Sequence, residues 1–377
     1  MSVGLEEAAA SDREVRALLR QSLETVLTRH VTFEQRRAAY QSSRRYSAEA
    51  WNAYAGLGLM AVSLPEAHGG VPGGLGDLAM ASELMGSALA LEPYRATMIG
   101  ARLLAAAGTA EQQASWLPAL ATGARRAALA HGAPGDRAFA EASRDGAGWR
   151  INGRKRVIPG GDAADLFIVP ARVDGEGEVA LFLVPAEAVE RRGYGCFDWT
   201  GAADLVLVDV PGPPGARLAG GEAALACALD EAVILACADA VGAMRAANRL
   251  TRDYAGTRRQ FGVPIASFQV LQHRMVDMAI AEELAASITT AALAAFGQED
   301  PASRARAVSA AKVTVGDSAQ YVARQCIQIH GGMGLTEEYP AAHYFARLGM
   351  FERLFGDRDE HVRRFAASGQ KDAGDAW

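Results

Sequence analysis

The sequence predicts an α+β protein, mostly helical, with three consecutive domains: an amino-terminal helical domain, a central antiparallel β-barrel-like domain and a carboxyl-terminal four-helix bundle. Three observations carry this prediction. Apolar residues recur at helical spacing through residues 12–124, short β-rich runs begin near residue 126, and helical spacing returns from Gly221 onward. We therefore expect domains at 1–125, 126–221 and 222–377.

The amino-terminal helices are indicated by apolar positions three and four residues apart through Val15–Leu27 and again through Leu78–Leu89. Glycine and proline are concentrated at 65–74, which predicts an irregular connection between helices. Gly108-Thr109 predicts a turn between two helices.

The central domain is predicted from four β-rich runs with Asn-Gly, Asp-Gly and Gly-Gly turns nearby: 149–158, 166–169, 179–184 and 203–210. Runs of this length, punctuated in this way, are typical of antiparallel sheets and barrels. Beyond them, the helical segments are long with short connections, which is typical of a bundle; they lie near 222–256, 266–297, 301–329 and 351–367. From about residue 368 the sequence is typical of a loose tail.

Composition excludes several classes of protein. The chain has 377 residues and a formal net charge of -6, whereas a nucleic-acid binder needs a basic face. The apolar stretch 223–241 is interrupted by Asp230, Glu231 and Asp239, so we expect no membrane span. The first residues lack the pattern of a secretory signal, and the four cysteines are scattered without metal-like spacing. We therefore expect a cytoplasmic protein without a metal site.

Two segments carry most of the functional information. One is Tyr254-Ala-Gly-Thr-Arg-Arg-Gln-Phe-Gly-Val-Pro-Ile-Ala-Ser-Phe-Gln269, and the other is Gln328-Ile-His-Gly-Gly-Met-Gly-Leu-Thr-Glu-Glu-Tyr-Pro340. Together they resemble the paired signatures of the acyl-CoA dehydrogenase family, flavoenzymes that desaturate acyl-CoA thioesters between Cα and Cβ. The segment 108–120 also resembles that family, and the resemblance covers nearly the whole chain.

The resemblance implies FAD as cofactor. A dinucleotide needs cations or backbone amides for its pyrophosphate and apolar surfaces for its rings. In the family, the first segment grips FAD, largely at the pyrophosphate and adenosine, and the matching positions here are Arg258, Gln260, Phe261, Ile265, Phe268, Gln269 and Leu271. The second segment corresponds to a turn that approaches the same cofactor from a neighbouring subunit, here with Gln328, Gly331 and Gly332.

The β domain departs from the family pattern. Where family members carry Thr-Glu-Pro and Gly-Ser-Asp beside the flavin, this chain has the degenerate match at 130–136. Where they carry Trp-Ile-Thr against the flavin ring, this chain has Val157-Ile158-Pro159. Because proline has no backbone N–H and no side-chain donor, the usual bond to the flavin cannot form there. Two interpretations stay open: drift with a retained fold, or a flavin site that is altered or vacant.

A larger departure concerns the catalytic base. The family places a glutamate before Gly-Thr in a loop ahead of the last helix; here Phe355 takes its position and Asp357 takes that of the flavin-contacting threonine. Some relatives carry the glutamate on the helix before the arginine motif, and that position is Ala232 here. Glu231 is offset from it by about 100° around a helix. Glu231 and Asp239 both remain candidates for the base, or for capping and subunit-contact charges.

One further segment resembles a subset of bacterial acyl-CoA dehydrogenases that work as heteromers. It is Leu354-Phe-Gly-Asp-Arg-Asp-Glu-His361, which follows His343-Tyr-Phe. This subset includes small subunits of pimeloyl-CoA dehydrogenase type and the steroid side-chain enzymes. It implies an acyl-CoA substrate, a homologous partner subunit that supplies the base, and an electron-transfer flavoprotein as acceptor. The alternatives are a self-sufficient dehydrogenase using Glu231 or Asp239, and a non-catalytic structural paralogue.

Overall fold

The computed structural model describes residues 2–131, 139–297 and 300–369, with the side chains of 2–13 and 369 left out. Most of the degenerate loop at 130–136 and of the carboxyl-terminal tail therefore lies outside the described residues. Helices occupy the first third of the chain, strands lie between residues 127 and 212, and helices return at residue 221. The predicted fold class is confirmed.

The first six helices are α1 (Ser2–His30), α2 (Phe33–Gln41), α3 (Ala48–Gly56), α4 (Leu75–Ala88), α5 (Tyr94–Ala107) and α6 (Ala110–Ala121). Hydroxyl side chains cap the amino termini of α2, α3 and α6: Thr32, Ser47 and Thr109 each accept a backbone N–H from the first turn. The predicted turn at Gly108-Thr109 separates α5 from α6.

Seven strands form one curled sheet: β1 (Ala127–Leu129), β2 (Ala140–Asp145), β3 (Gly148–Pro159), β4 (Leu166–Val173), β5 (Val179–Pro185), β6 (Glu190–Gly195) and β7 (Gly201–Gly212). The order is β1-β4-β2-β3-β7-β6, with β5 on the other edge of β4. Both β1 and β2 pair with β4 in parallel, so the sheet is mixed rather than antiparallel throughout. These parallel pairings were not predicted, because neither β1 nor β2 was identified from the sequence.

The carboxyl-terminal helices are α7 (Gly221–Thr257), α8 (Gln269–Ala295), α9 (Pro301–His330), α10 (Pro340–Phe351) and α11 (Arg358–Gly369). Two short strands, β8 (Arg259–Gln260) and β9 (Val263–Pro264), form a hairpin between α7 and α8. The described bundle thus has five helices where four were expected. The segment predicted near 351–367 contains a break, because Phe355 and Gly356 have φ values of 55° and 104°, outside the helical region.

A close crossing of α4 and α7 joins the amino- and carboxyl-terminal helices. A Cβ atom on Gly86 would lie 2.0 Å from the carbonyl oxygen of Asp239, and one on Gly242 would lie 1.8 Å from that of Glu83. Only glycine permits such an approach of two backbones. The crossing fixes the position of Asp239 on α7. Asp239 is part of the candidate site described below.

Candidate functional site

The segment after α7 forms an exposed hairpin. Arg258 ends the helix, and the backbone N–H of Ile265 returns to its carbonyl oxygen at 2.8 Å. The turn places Phe261 (φ 52°) and Gly262 (φ 84°) in the left-handed region, and the Phe261 ring is 92% exposed. Arg258, Gln260 and Phe261 are therefore all open to a ligand.

The remaining residues of this segment have different positions. Ile265 is buried, and Phe268 and Leu271 are half-buried against the core. Gln269 is exposed at the first position of α8. Ile265, Phe268 and Leu271 thus hold the hairpin to the bundle, and Gln269 adds a polar group to its surface.

The glycine turn after α9 lies beside this hairpin. The ring of Tyr254, in the last turn of α7, lies 4.5 Å from the ring of His330, and its hydroxyl donates to the His330 carbonyl at 3.3 Å. Gln328, Gly331 and Gly332 are exposed, and a Cβ on either glycine would meet nothing within 4 Å. We call the two exposed segments, Arg258–Gln269 and Gln328–Gly332, the nucleotide surface.

A second site, which we call the cleft, lies between α5, α7, α10 and the turns of the sheet. It is lined by Pro159, Asp162, Asp239, Arg347 and Phe355, among others. Pro159 and Phe355 are the two departures from the family pattern, so the structure brings both to one place. Within the described ranges, the nucleotide surface contributes no residue to this lining.

The loop that carries Phe355 is held by buried polar groups. Nε2 of His361 lies 3.0 Å from the Phe355 carbonyl oxygen, and Nδ1 lies 3.3 Å from the hydroxyl of Ser309. Burial lowers the pKa of His361 to about 4, so the ring is neutral, donates from Nε2 and accepts at Nδ1. Asp357 accepts the backbone N–H of Glu360 at 2.8 Å at the start of α11. The carboxylate of Asp357 therefore has a capping role.

The strand that leads to the cleft residue Pro159 also has a fixed backbone. Val157 lies at an irregularity of β3 with φ 51°, which is unusual for a β-branched residue. Its N–H donates to Oδ1 of Asp204 at 2.9 Å, and Tyr194 donates to the same oxygen at 2.7 Å. With this N–H occupied and none on Pro159, neither Val157 nor Pro159 offers a backbone donor to a ring in the cleft.

Buried ion pairs cross the floor of the cleft. Arg347, only 4% exposed, lies 3.4 Å from Asp198 and 3.7 Å from Asp239, and its NH2 group donates to the Ala90 carbonyl at 2.6 Å. Arg95 lies 3.4 Å from the other oxygen of Asp239. Asp239 thus lies between two guanidinium groups, with one carboxylate oxygen near each.

Glu231 faces a different pocket, bordered by Ser63–Gly73 and Arg102. Arg102 donates to both of its carboxylate oxygens, at 2.8 and 2.7 Å. Two arginine–carboxylate pairs therefore tie α5 to α7, with Arg95 and Arg102 on one helix and Asp239 and Glu231 on the other. Neither pairing was predictable from the spacing of the acids along α7.

Asp162 is a cleft residue that the sequence analysis missed. It follows β3 in the turn Gly160-Gly161-Asp162, and its side chain is 4% exposed. Burial raises the pKa of Asp162 to about 6, because the Arg45 guanidinium, at 4.0 Å, is too distant to offset the lost hydration. A carboxyl group with a raised pKa in a cleft is a common feature of functional sites, although no motif marks this one.

Comparison with known proteins identifies the family. Residues 12–124 match the acyl-CoA dehydrogenase N-terminal domain, and residues 219–369 match the acyl-CoA dehydrogenase C-terminal domain. The acyl-CoA dehydrogenase FadE12 of Mycobacterium tuberculosis is 31% identical over 322 residues, which cover 79% of this chain and 81% of that protein. The chain belongs to the acyl-CoA dehydrogenase family. Members are oxidoreductases that act on the CH–CH bond of acyl-CoA thioesters.

A further relative and two solved structures match along nearly the whole chain. IpdE2 of Mycolicibacterium smegmatis is 28% identical over 94% of this chain and 98% of its own. The Tcur3481-Tcur3483 steroid acyl-CoA dehydrogenase superimposes with a TM-score of 0.88 and 30% identity, covering 96% of this chain and 99% of that chain. The ChsE4-ChsE5 complex from Mycobacterium tuberculosis shares the fold, with a TM-score of 0.89, 24% identity and coverage of 95% and 98%.

The two regions fit the family's flavin cofactor unequally. The nucleotide surface has an exposed guanidinium, an amide side chain and an open glycine turn, which suit a pyrophosphate. In the cleft, the N–H of Val157 is occupied, Pro159 has none, and the carboxylate of Asp357 caps a helix. The residues present therefore fit the dinucleotide end of FAD better than its ring.

Proposed function

We propose that this chain is one subunit of a heteromeric, FAD-dependent acyl-CoA dehydrogenase in which a homologous partner supplies the catalytic carboxylate. The observation that carries the proposal is the position of Phe355, which lines the cleft together with Pro159. A phenyl ring accepts no proton, so the position that bears the family's base has none here.

Desaturation needs a base that removes the α-proton of the thioester and an acceptor for the hydride from Cβ; FAD, when bound, supplies the acceptor. Neither helix carboxylate of this chain is well suited to act as that base. Asp239 lies between Arg95 and Arg347, and Glu231 is paired with Arg102 outside the cleft. Each carboxylate is engaged in an ion pair that would have to break before its oxygen could approach a thioester.

The nucleotide surface gives this chain a role in the complex. Arg258 supplies a positive charge, Gln260 an amide and Phe261 an exposed ring, and Gly331 and Gly332 leave room for close approach. All of them are exposed, and none of them lines the cleft of this chain. We infer that they bind the pyrophosphate and adenosine of a flavin whose ring lies in the partner subunit.

We also propose the substrate, the electron acceptor, the assembly and the cellular location. The substrate is an acyl-CoA of fatty acid or steroid catabolism, and the electron acceptor is an electron-transfer flavoprotein. The assembly is a heterotetramer in the cytoplasm. Supporting it, the family relatives include the ChsE4-ChsE5 complex and the Tcur3481-Tcur3483 steroid enzyme.

The direct test is to express this chain alone and assay desaturation with a panel of acyl-CoA thioesters. We expect no turnover by the chain alone, and turnover after a homologous subunit with the glutamate is added. Full activity of the chain as a homo-oligomer would remove the need for a partner.

Self-sufficient catalysis is the second candidate, and one observation favours it: Asp239 lines the same cleft as Phe355. If Asp239 is the base, Asp239→Asn abolishes turnover while flavin stays bound; Glu231→Gln tests the other acid in the same way. If the chain is instead a structural paralogue, no flavin is retained even with the partner present.

A further inference from the structure

The cleft of this chain has polar as well as apolar walls. Hydrophobic side chains such as Ile99, Leu129 and Met350 form one part of the lining. Among the described residues, the lining also has three arginines: Arg45, Arg95 and Arg347. It has four acids as well: Glu92, Asp162, Asp198 and Asp239. Because charged groups need hydrogen-bonding partners where water is excluded, a ligand that fills this cleft must carry both hydrocarbon and polar groups.

Two of the acids are hydrogen-bonded inside the protein. Glu92 accepts the backbone N–H of Ser47 at Oε1 and the hydroxyl of Tyr54 at Oε2, each at 3.1 Å. Oδ1 of Asp198 accepts the backbone N–H of Thr200 at 3.2 Å and its hydroxyl at 2.6 Å. Together with the ion pairs described above, these bonds leave the carboxylates little need of a ligand.

Arg95 has more donors than the structure uses. Its side chain is 22% exposed, it lies 3.4 Å from Asp239, and it donates no hydrogen bond within the described part of the chain. Burial lowers the pKa of Arg95, so its neighbours stabilise the charge of the guanidinium group incompletely. The residue lies in the first turn of α5, directly after the buried Tyr94, and borders the cleft. A hydrogen-bond acceptor on a ligand would therefore supply what the protein does not.

Arg45 borders the same cleft in a different setting. It lies in the turn that follows α2, where Ser43 and Arg44 are exposed, and its own side chain is 30% exposed. Water can therefore hydrate Arg45 without a ligand, whereas Arg95 depends on what enters the cleft.

The charge of the lining limits which acceptor can bind Arg95. Three guanidinium groups face four carboxyl groups, and burial raises the pKa of two of these, Glu92 and Asp162, the latter to about 6. The lining is therefore close to neutral or slightly acidic at pH 7. A further carboxylate would add to the acids, and unpaired buried charge is costly. A neutral oxygen, as in a hydroxyl, ether or ketone group, accepts from the guanidinium group without adding charge.

We propose that the cleft of this chain binds an acyl-CoA whose acyl group carries a neutral oxygen, which accepts a hydrogen bond from Arg95 while the hydrocarbon part packs on Ile99, Leu129 and Met350. This binding makes and breaks no covalent bond. The CoA thioester as ligand rests on the proposed function. The two proposals can fail separately, because binding is measured on this chain alone, whereas the heteromer is tested by turnover with and without a partner.

Matched thioesters test the ligand class. Hexanoyl-CoA, ω-hydroxyhexanoyl-CoA and adipoyl-CoA differ only at the end of the acyl chain, which carries a methyl, a hydroxyl or a carboxylate group. By isothermal titration calorimetry of the full-length chain, we expect the hydroxylated thioester to bind about 10–100-fold more tightly than the alkyl one, as for a hydrogen bond to a charged group. Butyryl and octanoyl sets made in the same way allow for the depth of the cleft. CoA alone gives the background.

Variants on α5 separate the role of Arg95 from that of the helix. Arg95→Met removes the donors and should reduce the preference for the hydroxylated thioester to about twofold or less. Arg102→Met breaks a similar pair between α5 and α7, but outside the cleft, and should leave the preference unchanged. Because the preference is a ratio measured on one protein, it does not depend on the folded fraction. Arg95→Lys keeps the charge with fewer donors, should retain a smaller preference, and serves if Arg95→Met does not fold.

Four results would overturn the proposal. They are equal binding of hydroxylated and alkyl thioesters at every chain length, tighter binding of the dicarboxylic thioesters, a hydroxyl preference that survives Arg95→Met, and binding of no thioester by the folded chain.

Discussion

The nucleotide surface and the cleft differ in how far they retain the residues that are typical of the family. The surface keeps the family's residues and leaves them exposed, from Arg258 and Phe261 to the open Gly331-Gly332 turn. In the cleft, Phe355 and Pro159 replace the family's residues, and two of the carboxylates, Asp198 and Asp239, are paired with Arg347. The contrast supports the proposal that this chain contributes to a neighbour's site more than to its own.

Two residues in or near the cleft have an unusual backbone conformation. Phe355, which lines the cleft, and Val157, two residues before the cleft residue Pro159, have positive φ values, and their backbones are bonded to His361 and Asp204 respectively. Such conformations cost about 1–3 kcal/mol each and persist only where the surroundings impose them. The shape of the cleft is therefore imposed by its surroundings, although a phenyl ring occupies the position of the family's base.

The largest expected effect is a loss of stability when the ion pairs of the cleft are broken. Arg347→Met removes the guanidinium that neutralises Asp198 and Asp239, leaving two buried carboxylates with fewer partners. We expect the free energy of unfolding, from urea titration of the full chain, to fall by about 3–5 kcal/mol. The exposed Arg353→Met is the matched control. A loss below about 1 kcal/mol would show that the ion pairs do not hold the cleft together.

The second-largest expected effect is a loss of flavin affinity when the nucleotide surface is altered. Arg258→Ala removes an exposed cation that no described contact requires for folding, so the free energy of unfolding should change by less than about 0.5 kcal/mol. Flavin affinity of the complex should fall by about 10–100-fold, which corresponds to one charge-assisted hydrogen bond. Arg252→Ala, 73% exposed on the same helix, should leave the affinity unchanged. Equal losses from both variants would contradict a specific role for Arg258.

A pH effect probes the cleft alone. The pKa of Asp162 is about 6 in the folded chain against 3.8 in the unfolded chain, so the folded state binds the extra proton between these values. Stability should therefore fall by about 2–3 kcal/mol as pH rises from about 4 to about 6. Asp162→Asn should lack this fall, and the exposed Asp174→Asn should retain it. Superimposable pH curves for wild type and Asp162→Asn would refute the raised pKa.

The smallest effect concerns the exposed ring. Phe261→Ala should weaken flavin binding by about fivefold, since an aromatic contact contributes about 1 kcal/mol, with little change in stability. Val208→Ala, also exposed but on β7, is the control. Loss of stability rather than of flavin would assign Phe261 to folding.

The sequence was sufficient for the fold class because the helical and strand patterns are long, and because the two motifs constrain the carboxyl-terminal half. It could not give the parallel pairings of β1 and β2, which depend on strands too short to identify, or the break at Phe355-Gly356. The convergence of Pro159 and Phe355 followed from the resemblance. The arginine partners of Glu231 and Asp239, and the burial of Asp162, depend on α5 and on turns distant in sequence.

Flavin stoichiometry of the purified complex is the measurement that tests the division between the two regions most directly. The absorbance of bound flavin, set against the amount of polypeptide, should give fewer than one flavin per chain, and Arg258→Ala should reduce that content further. One flavin bound for every chain, with desaturation by this chain alone, would contradict the account.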